Sequence, residues 1–335
     1  MGQQLKQAIV ITSIFEPTIA VKKFAAMKDY RLFVAGDKKT NADWSCEGVE
    51  FISWEKQQDD NWRLSALLPS NHYCRKLFGY LTAIAWGADI IIDTDDDNIP
   101  YDDWQFPSGS AVYNRLPANL GFINTYQWFT KQQIWPRGLP LDTIRRRFEG
   151  EFALAEEHSQ VGIWQGLADS DPDVDALYRL TSDAPCIFEK RTPIVLSEGT
   201  ICPFNSQNTL FIKALFPLLY LPAEVTFRFT DILRGLVAQP IMWLYGYQLG
   251  FTQATVEQLR NPHNYLHDFE SELPMYLHGY KVPQIVQNSI SANNSVGENL
   301  VAAYTALEAQ GIVPAKELVI LKAWLSDLEQ LQTFD

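Results

Sequence analysis

Four aspartates within five positions follow a run of apolar, β-branched residues. The run consists of Ile90, Ile91 and Ile92, and the acids are Asp93, Asp95, Asp96 and Asp97. Carboxylates this close repel one another and raise one another's pKa, so the arrangement costs free energy unless a cation lies among them. Oxygen-rich clusters suit Mg²⁺ or Mn²⁺, and ligands of open α/β sheets bind beyond the carboxyl ends of the strands. The pattern predicts a divalent-metal site that holds a phosphate-bearing substrate.

Alternation along the acidic stretch divides the acids between roles. If the extended backbone continues past the strand, Asp95 and Asp97 share one face and reach one metal ion, whereas Asp96 points away. Asp93 closes the strand and suits contacts to a ribose or to groups behind the metal. The metal would bridge the two phosphates of a donor and stabilise the charge of the leaving diphosphate.

The acidic stretch also admits other interpretations. A calcium-binding EF-hand loop begins with the same spacing, but it needs Gly and Glu where this chain has Asn98 and Trp104. A haloacid-dehalogenase-type phosphatase begins with a strand and Asp-x-Asp, and usually has Thr or Val at the position of Asp97. The EF-hand is excluded, whereas the phosphatase and a solvated acidic turn stay open.

The predicted elements place this stretch near the centre of a sheet. Strands are predicted over residues 8–14, 31–35, 49–54 and 88–92, and helices over 19–27 and from the candidate N-caps Ser70 and Asn71 to Gly87. This alternation predicts an α/β fold with a mostly parallel sheet flanked by helices.

The rest of the chain has a weaker pattern. Irregular structure with short strands is predicted for 101–230, including a strand-like run at 227–229. Helices are predicted for 231–247 and for 298–331, with a break before Pro314. We therefore divide the chain into a main domain over 1–285, with a nucleotide-binding half at 1–100 and an acceptor half at 101–285, and a helical C-terminal extension over 286–335. The extension could pair in a homo-oligomer.

Composition excludes several classes of partner. The chain has 335 residues, 47% of them hydrophobic, and a formal net charge of −13. Nucleic acids and anionic membranes require basic surfaces, so neither is an expected partner. Four widely spaced cysteines indicate reduced thiols rather than a disulfide framework or a zinc site. No apolar run approaches the roughly 20 residues of a membrane span, and no secretory signal is visible, so we expect a cytoplasmic protein.

Several blocks of sequence resemble one known family. They are residues 71–81, 93–98, 135–141, 171–180, 203–209 and 229–235, and they begin with Asn-His-Tyr-Cys-Arg-Lys-Leu-Phe-Gly-Tyr-Leu. In this order they resemble the STELLO family of glycosyltransferase-like proteins, over roughly residues 8 to 275, and more faintly the reversibly glycosylated polypeptides, which act on UDP-arabinose. Both resemblances imply the GT-A fold, a nucleotide-sugar donor and a divalent metal. The membrane anchor and Golgi address of the plant members are not seen, so the expectation is a bacterial enzyme.

The resemblance assigns roles at the ends of the predicted strands. GT-A proteins hold the base and ribose at the end of the first strand, which here carries Thr12, Ser13, Phe15 and Glu16. Asp37, after the second strand, could accept a hydrogen bond from uracil or ribose, although turn chemistry explains it equally. Arg75 and Lys76 lie near a helix N-terminus that should face the same crevice. Two cations at a helix N-terminus suit a diphosphate, and the alternative is a solvated helix face.

Acids and one arginine later in the chain are candidates for the acceptor side. Asp231 begins a predicted helix, where inverting GT-A enzymes carry a general base; the alternative is that Asp231 or Thr230 is only an N-cap. Asp173 and Asp175 could bond sugar hydroxyls or lie in a loop without chemistry. Arg137 could face an anionic group or form a core corner. His263 is a candidate third metal ligand.

Together these observations predict a metal-dependent glycosyltransferase. It would move a sugar from a UDP-sugar, with Mn²⁺ or Mg²⁺, to a glycan acceptor in bacterial surface polysaccharide synthesis. Two alternatives remain: a sugar-nucleotide mutase like the reversibly glycosylated polypeptides, and a non-catalytic scaffold with a transferase fold.

Overall fold

A computed structural model describes residues 5–59, 62–146, 154–182, 184–259 and 264–332. The strands are β1 (Gln7–Thr12), β2 (Tyr30–Ala35), β3 (Val49–Ile52), β4 (Ile90–Thr94), β5 (Asn98–Pro100), β6 (Ser110–Leu116), β7 (Gly121–Phe122), β8 (Ala155–Asp169), β9 (Ile194–Leu196), β10 (Thr200–Ile201), β11 (Asn208–Ile212) and β12 (Gln248–Gln258). The helices are α1 (Ile19–Ala25), α2 (Trp54–Asp59), α3 (Lys76–Ala85), α4 (Tyr126–Phe129), α5 (Ala176–Thr181), α6 (Thr230–Trp243), α7 (Tyr265–His278), α8 (Val282–Gln287), α9 (Val296–Ala309) and α10 (Ala315–Gln332).

One large sheet organises the described residues. Its strand order is β3-β2-β1-β4-β11-β8-β6-β9-β12-β5. The first four of these strands are parallel, with Val10 of β1 paired to Asp93 of β4. Their carboxyl ends therefore meet at one edge of the sheet. The α/β fold class with a mostly parallel sheet and flanking helices is confirmed.

Helix α3 lies against this parallel part of the sheet. A Cβ on Gly79 would lie 2.5 Å from Cγ1 of Val10, so the glycine allows the close approach of α3 to β1. Gly87 has φ +88° just beyond the helix end, as predicted for a left-handed terminator. The N-cap of α3, however, is Arg75, without a side-chain capping bond, rather than Ser70 or Asn71. His72 caps the short 3₁₀ turn Tyr73–Arg75 that precedes α3, and its side chain accepts from the Cys74 amide.

Two long strands were missed in the sequence. β8 runs for 15 residues inside the region predicted as irregular, and β12 follows α6 directly. Both carry Gly and Gln among their apolar residues, and some of their polar side chains have partners on neighbouring strands, as Gln165 has at the Asn208 carbonyl. The prediction of a strand-like run at 227–229 is wrong, because these residues form a turn before α6.

The C-terminal helices pack into the same core as the sheet. Side chains of α9 and α10, including Leu307 and Trp324, belong to one buried cluster with residues of α3 and β8. The break between these helices lies before Pro314 as predicted. Within the described residues no helix has the length and apolarity needed to cross a membrane. All four cysteines are free thiols, as expected.

Candidate active site

A crevice of about 340 Å³ opens at the carboxyl edge of the parallel strands. One wall comes from the residues after β1 and β2, the floor from the acidic turn between β4 and β5, and the far wall from the start of α6 and two earlier loops. Predicted residues that line it are Thr12, Ser13, Phe15, Asp37, Arg75, Asp95, Asp97, Arg137, Asp173 and Asp231. Most of the residues predicted from strand ends and from the resemblance therefore lie around one crevice.

The acidic turn presents three carboxylates to the crevice. β4 ends at Thr94, so the extended alternation stops there. As a result Asp96 does not point away, which corrects the prediction: it lines the crevice beside Asp95 and Asp97 and accepts a hydrogen bond from Ser13 Oγ. Two hydrogen bonds to the Gln207 carbonyl, from Thr94 Oγ1 at 2.7 Å and Asn98 Nδ2 at 2.6 Å, fix both ends of the turn.

Two cations behind the turn neutralise its inner carboxylates. Asp93 is fully buried and pairs with Lys76 Nζ at 2.6 Å and with Arg234 Nη1 at 2.7 Å. Lys76 Nζ also lies 3.0 Å from Asp95 Oδ1. Burial lowers the pKa of Lys76, but the charges of Asp93 and Asp95 outweigh it and raise that pKa above its ordinary value, so the lysine stays charged.

Asp95 in this turn has a raised pKa. Burial raises its pKa to about 6; Lys76 lowers it, and Asp97 and Asp93 raise it further. The pKa of Asp96 is also raised, chiefly by burial. Raised values in a cluster of acids show that the ionised turn is held against a cost, which a divalent cation in the crevice would remove.

Only some of the residues predicted for the nucleotide side line the crevice. Thr12, Ser13 and Phe15 line the crevice, whereas Glu16 does not and instead accepts from Asn41 Nδ2 at 3.2 Å. Both oxygens of Asp37 are used within the protein, by the backbone amides of Asn71 at 2.8 Å and His72 at 2.9 Å. Asp37 thus joins the end of β2 to the turn before α3.

Arg75 and Lys76 are not exposed cations. Both side chains have no exposed surface. Arg75 donates to Gln57 Oε1 at 2.8 Å and lies over the rings of Trp54 and Phe78. Direct contact of either residue with a diphosphate, as the sequence suggested, would require them to leave these partners. Lys39 is an exposed cation that lines this side of the crevice, and it was missed because it lies in a turn without a motif.

The far wall holds an arginine between two carboxylates. Arg137 donates from Nη2 to Asp173 at 2.7 Å and to Asp231 at 2.9 Å, and all three side chains are buried but line the crevice. Arg137 is therefore neither a bare core corner nor free for an external anion. The N-cap of α6 is Phe229, so neither Thr230 nor Asp231 has the capping role considered above.

Asp175 belongs to the structure rather than to the crevice. Its carboxylate caps α5 by accepting from the Tyr178 amide at 2.8 Å and also accepts from Trp135 Nε1 at 2.7 Å. It is fully buried and does not line the crevice, so the prediction of a sugar contact is not supported. His263 lies outside the described residues.

The sequence missed residues that act through side-chain contacts. Tyr73 donates to Asp95 Oδ1 at 2.7 Å, and Gln258 Nε2 donates to Asp97 at 3.0 Å. Tyr73 was not among the candidate site residues, and Gln258 lies at the end of the unpredicted strand β12. Arg234 follows Asp231 by one turn of α6, a spacing that could have revealed it.

The carboxylate oxygens of the acidic turn fit a hard divalent cation that keeps part of its hydration shell. Among the described residues no group of three or more His, Cys, Asp or Glu side chains is arranged to hold a metal. Mg²⁺ is usually bound by one or two carboxylates together with substrate phosphates and water. Asp95 and Asp97 would supply such a pair, with the remaining ligands left to a substrate and solvent.

Comparison with known proteins agrees with the earlier resemblance. A family described as STELLO glycosyltransferases matches residues 228–334. The "Probable glycosyltransferase STELLO2" of Arabidopsis thaliana is 27% identical over 339 residues, covering 96% of this chain and 44% of its own length. "Probable glycosyltransferase STELLO1" of the same plant is 27% identical over 346 residues, with 97% and 44% coverage.

The resemblance to the STELLO glycosyltransferases is confirmed. The matched segment includes Asp231 and Arg234, and the two STELLO relatives extend the similarity over nearly the whole chain. Their names agree with the prediction of a glycosyltransferase. The chain spans less than half the length of these relatives, so what the whole plant proteins do is carried over only as a proposal.

Two solved structures also show similarity. "Crystal Structure of a Mycobacterial Protein" covers 86% of this chain and 76% of its own at 12% identity, with a TM-score of 0.40. "Crystal structure of M. tuberculosis glucosyl-3-phosphoglycerate synthase" covers 86% and 82% at 12% identity, with a TM-score of 0.38. The fold assignment above rests on the strand order of this chain and not on these two structures.

Proposed function

We propose that this chain is a GT-A glycosyltransferase that moves a sugar from a UDP-sugar to a glycan acceptor, with Mn²⁺ or Mg²⁺ at Asp95 and Asp97. The observation that carries the proposal is the charge of the acidic turn. Three of its carboxylates, Asp95, Asp96 and Asp97, line the open crevice, and burial raises the pKa of Asp95 to about 6. A divalent cation in the crevice would remove the cost of ionising carboxylates that lie this close together.

The crevice offers a place for each part of such a donor. Thr12, Ser13 and Phe15 follow β1 on the side where base and ribose would lie, and Lys39 supplies an accessible positive charge there. A bound divalent cation would stabilise the charge of the leaving diphosphate. Because Asp37 is already bonded to two backbone amides, we place the base against the residues around it rather than on its carboxylate.

On the far wall we assign the acceptor side to Asp173 and Asp231. A general base must be held in a fixed orientation by a third group. Arg137 provides that orientation for Asp231 through two hydrogen bonds of 3.0 and 2.9 Å. Asp231 would take the proton of the acceptor hydroxyl as that oxygen attacks the sugar.

The test is a thermal-shift and calorimetric panel of nucleoside diphosphates with and without Mn²⁺. A ligand that binds the folded state raises its stability by mass action, so we expect UDP and Mn²⁺ together to raise the melting temperature more than either alone. Asp95→Ala should abolish the metal-dependent part of the shift. Asp103→Ala is the matched control, because this exposed aspartate lies outside the crevice and its ion-pair distance to Lys190 is 3.7 Å.

Each outcome has a distinct meaning. No shift with any nucleotide, or a metal-dependent shift that survives Asp95→Ala, would reject the proposal. Product analysis then separates the transferase from a sugar-nucleotide mutase. A mutase would return a ring isomer of its UDP-sugar with no acceptor added, whereas the transferase would release UDP only with an acceptor or with water.

A further inference from the structure

The ammonium group of Lys76 lies inside a shell of oxygens. Its Nζ is 2.6 Å from Asp93 Oδ1, 2.6 Å from the Thr94 carbonyl, 3.0 Å from Asp95 Oδ1 and 3.0 Å from the Tyr73 hydroxyl. The side chain is fully buried. A lysine ammonium is a compact point charge with three donors, so this one is saturated by the inner side of the acidic turn.

This shell decides which atom of Asp95 is left for a ligand. Oδ1 of Asp95 accepts from both Tyr73 and Lys76. Within the described residues its Oδ2 accepts no hydrogen bond, and 28% of the side chain is exposed toward the crevice. One oxygen of the carboxylate thus faces the protein's own cation, and the other remains for an ion in the crevice.

We infer that Lys76 is a resident counter-ion of the acidic turn that positions Asp95 and makes divalent-metal binding depend on the nucleotide diphosphate. The inference rests on the proposed function and deepens it. Lys76 neutralises part of the charge that would otherwise attract a metal, so the turn alone holds Mn²⁺ weakly. A diphosphate in the crevice adds negative oxygens on the open side, and the metal then binds between the two.

Removing the charge of Lys76 should therefore strengthen, not weaken, metal binding in the free protein. For Lys76→Met we expect the Kd for Mn²⁺ alone, measured by the electron paramagnetic resonance signal of free Mn²⁺, to fall about tenfold. The ratio of the Mn²⁺ dissociation constants without and with UDP, which measures their coupling, should shrink by a similar factor. Tyr73→Phe is the matched control: it removes the other donor to Asp95 Oδ1 without a change of charge, and we expect less than about a threefold effect.

Unchanged or weaker Mn²⁺ binding in folded Lys76→Met would overturn the inference and leave Lys76 a purely structural residue. If that variant does not fold, Lys76→Gln keeps a donor at the same place and takes the same test. The wild-type protein gives an independent measurement: Mn²⁺ binding without nucleotide that is as tight as with UDP also overturns the inference. If the wild type binds neither Mn²⁺ nor UDP, the proposed function fails instead, so the two failures are distinguishable.

Discussion

At the residue scale, each side of the crevice has a cation held between two carboxylates. Lys76 lies between Asp93 and Asp95, and Arg137 lies between Asp173 and Asp231. Buried charges are tolerated only when they are paired and hydrogen-bonded. Both groups nevertheless leave carboxylate oxygens at the crevice surface. The same pairing that permits folding therefore also orients the acids that we assign to metal and acceptor.

Asp231 can be tested as the general base without loss of its neighbours. Asp231→Asn keeps an oxygen for Arg137, whose charge stays paired with Asp173. A positioned general base contributes about 10²- to 10⁴-fold to a rate, so we expect kcat to fall by that range while UDP and Mn²⁺ binding is retained. Activity is measured as acceptor-dependent UDP release.

The matched control for that change is Asp171→Asn. Asp171 belongs to the same acidic loop as Asp173 but pairs with Arg179 and does not line the crevice. Because Asp171 lies outside the crevice, its change should leave kcat within about threefold, a difference of less than about 1 kcal/mol in activation free energy. An Asp231→Asn enzyme as active as this control would remove the general-base assignment.

Asp175 gives a pH dependence of stability that is independent of the crevice. Burial raises its pKa from 3.8 to about 6, against the hydrogen bonds from Trp135 and the Tyr178 amide. The folded state therefore holds this proton more tightly than the unfolded state does. Its contribution is fully present below about pH 4 and is lost as pH rises through about 6.

We expect Asp175→Asn, which keeps an N-cap oxygen, to remove this dependence. The free energy of unfolding of the wild type, measured in urea, should fall between pH 4 and 6 by about 1 to 3 kcal/mol more than that of the variant. Parallel profiles for the two proteins across this window would show that Asp175 titrates normally.

At the scale of elements, α6 brings the two halves of the crevice together. It carries Asp231 at the far wall and, one turn later, Arg234 behind the acidic turn. The close approach of this helix to the loop before β11 requires Gly235, because a Cβ there would lie 2.5 Å from the Phe204 carbonyl oxygen. The positions of the Asp231 and Arg234 side chains therefore depend on Gly235, which has no side chain.

Gly235→Ala should accordingly destabilise the protein, although alanine favours a helix. Overpacking against backbone costs about 1 to 3 kcal/mol, which exceeds the roughly 1 kcal/mol gained in helix propensity. Gly297→Ala in α9 is the matched control, since its nearest neighbour would be Leu325 at 3.4 Å, an ordinary contact. Urea denaturation should show a loss for the first variant and no loss for the second; equal effects would contradict the packing argument.

The elements themselves were predicted well where the sequence pattern is local. The parallel strands, the end of α3 at Gly87 and the break before Pro314 each follow from β-branched runs, a glycine or a proline. β8 and β12 were missed because their stability comes from pairing with each other and with distant strands. A one-dimensional pattern contains no such information.

The same limit applies to the site. Strand ends identified Thr12, Asp95 and Asp97, because parallel strands bring their carboxyl ends together. The sequence could not show that Lys76 forms an ion pair with the buried Asp93 or that Asp175 is an N-cap. Those roles depend on which side chains meet across the fold, and only residue types and spacing are visible in the sequence.

At the scale of the whole molecule, the C-terminal helices belong to the body that forms the crevice. Glu317 accepts from the amides of Ala223 and Glu224, and Asp327 accepts from the amides of Arg63 and Leu64. Burial raises the pKa of both carboxyls, and their backbone partners lie far away in the chain. Buried apolar side chains of these helices pack within one chain, and pairing between copies stays a prediction.

Trp324 tests whether the C-terminal helices unfold with the sheet. Its side chain is fully buried, and its Nε1 donates to the Pro217 carbonyl at 3.1 Å. Loss of a buried tryptophan lowers the free energy of unfolding by about 3 to 5 kcal/mol. If the core is shared, the sheet and the C-terminal helices are destabilised together. We expect Trp324→Ala to lower the midpoint temperature of a single calorimetric transition and, together with it, the temperature at which UDP binding is lost. Lys322 is exposed on the same helix, and Lys322→Ala should change neither temperature. Two transitions, of which Trp324→Ala shifts one and leaves UDP binding at its original temperature, would instead show that residues 286–335 fold as a separate extension.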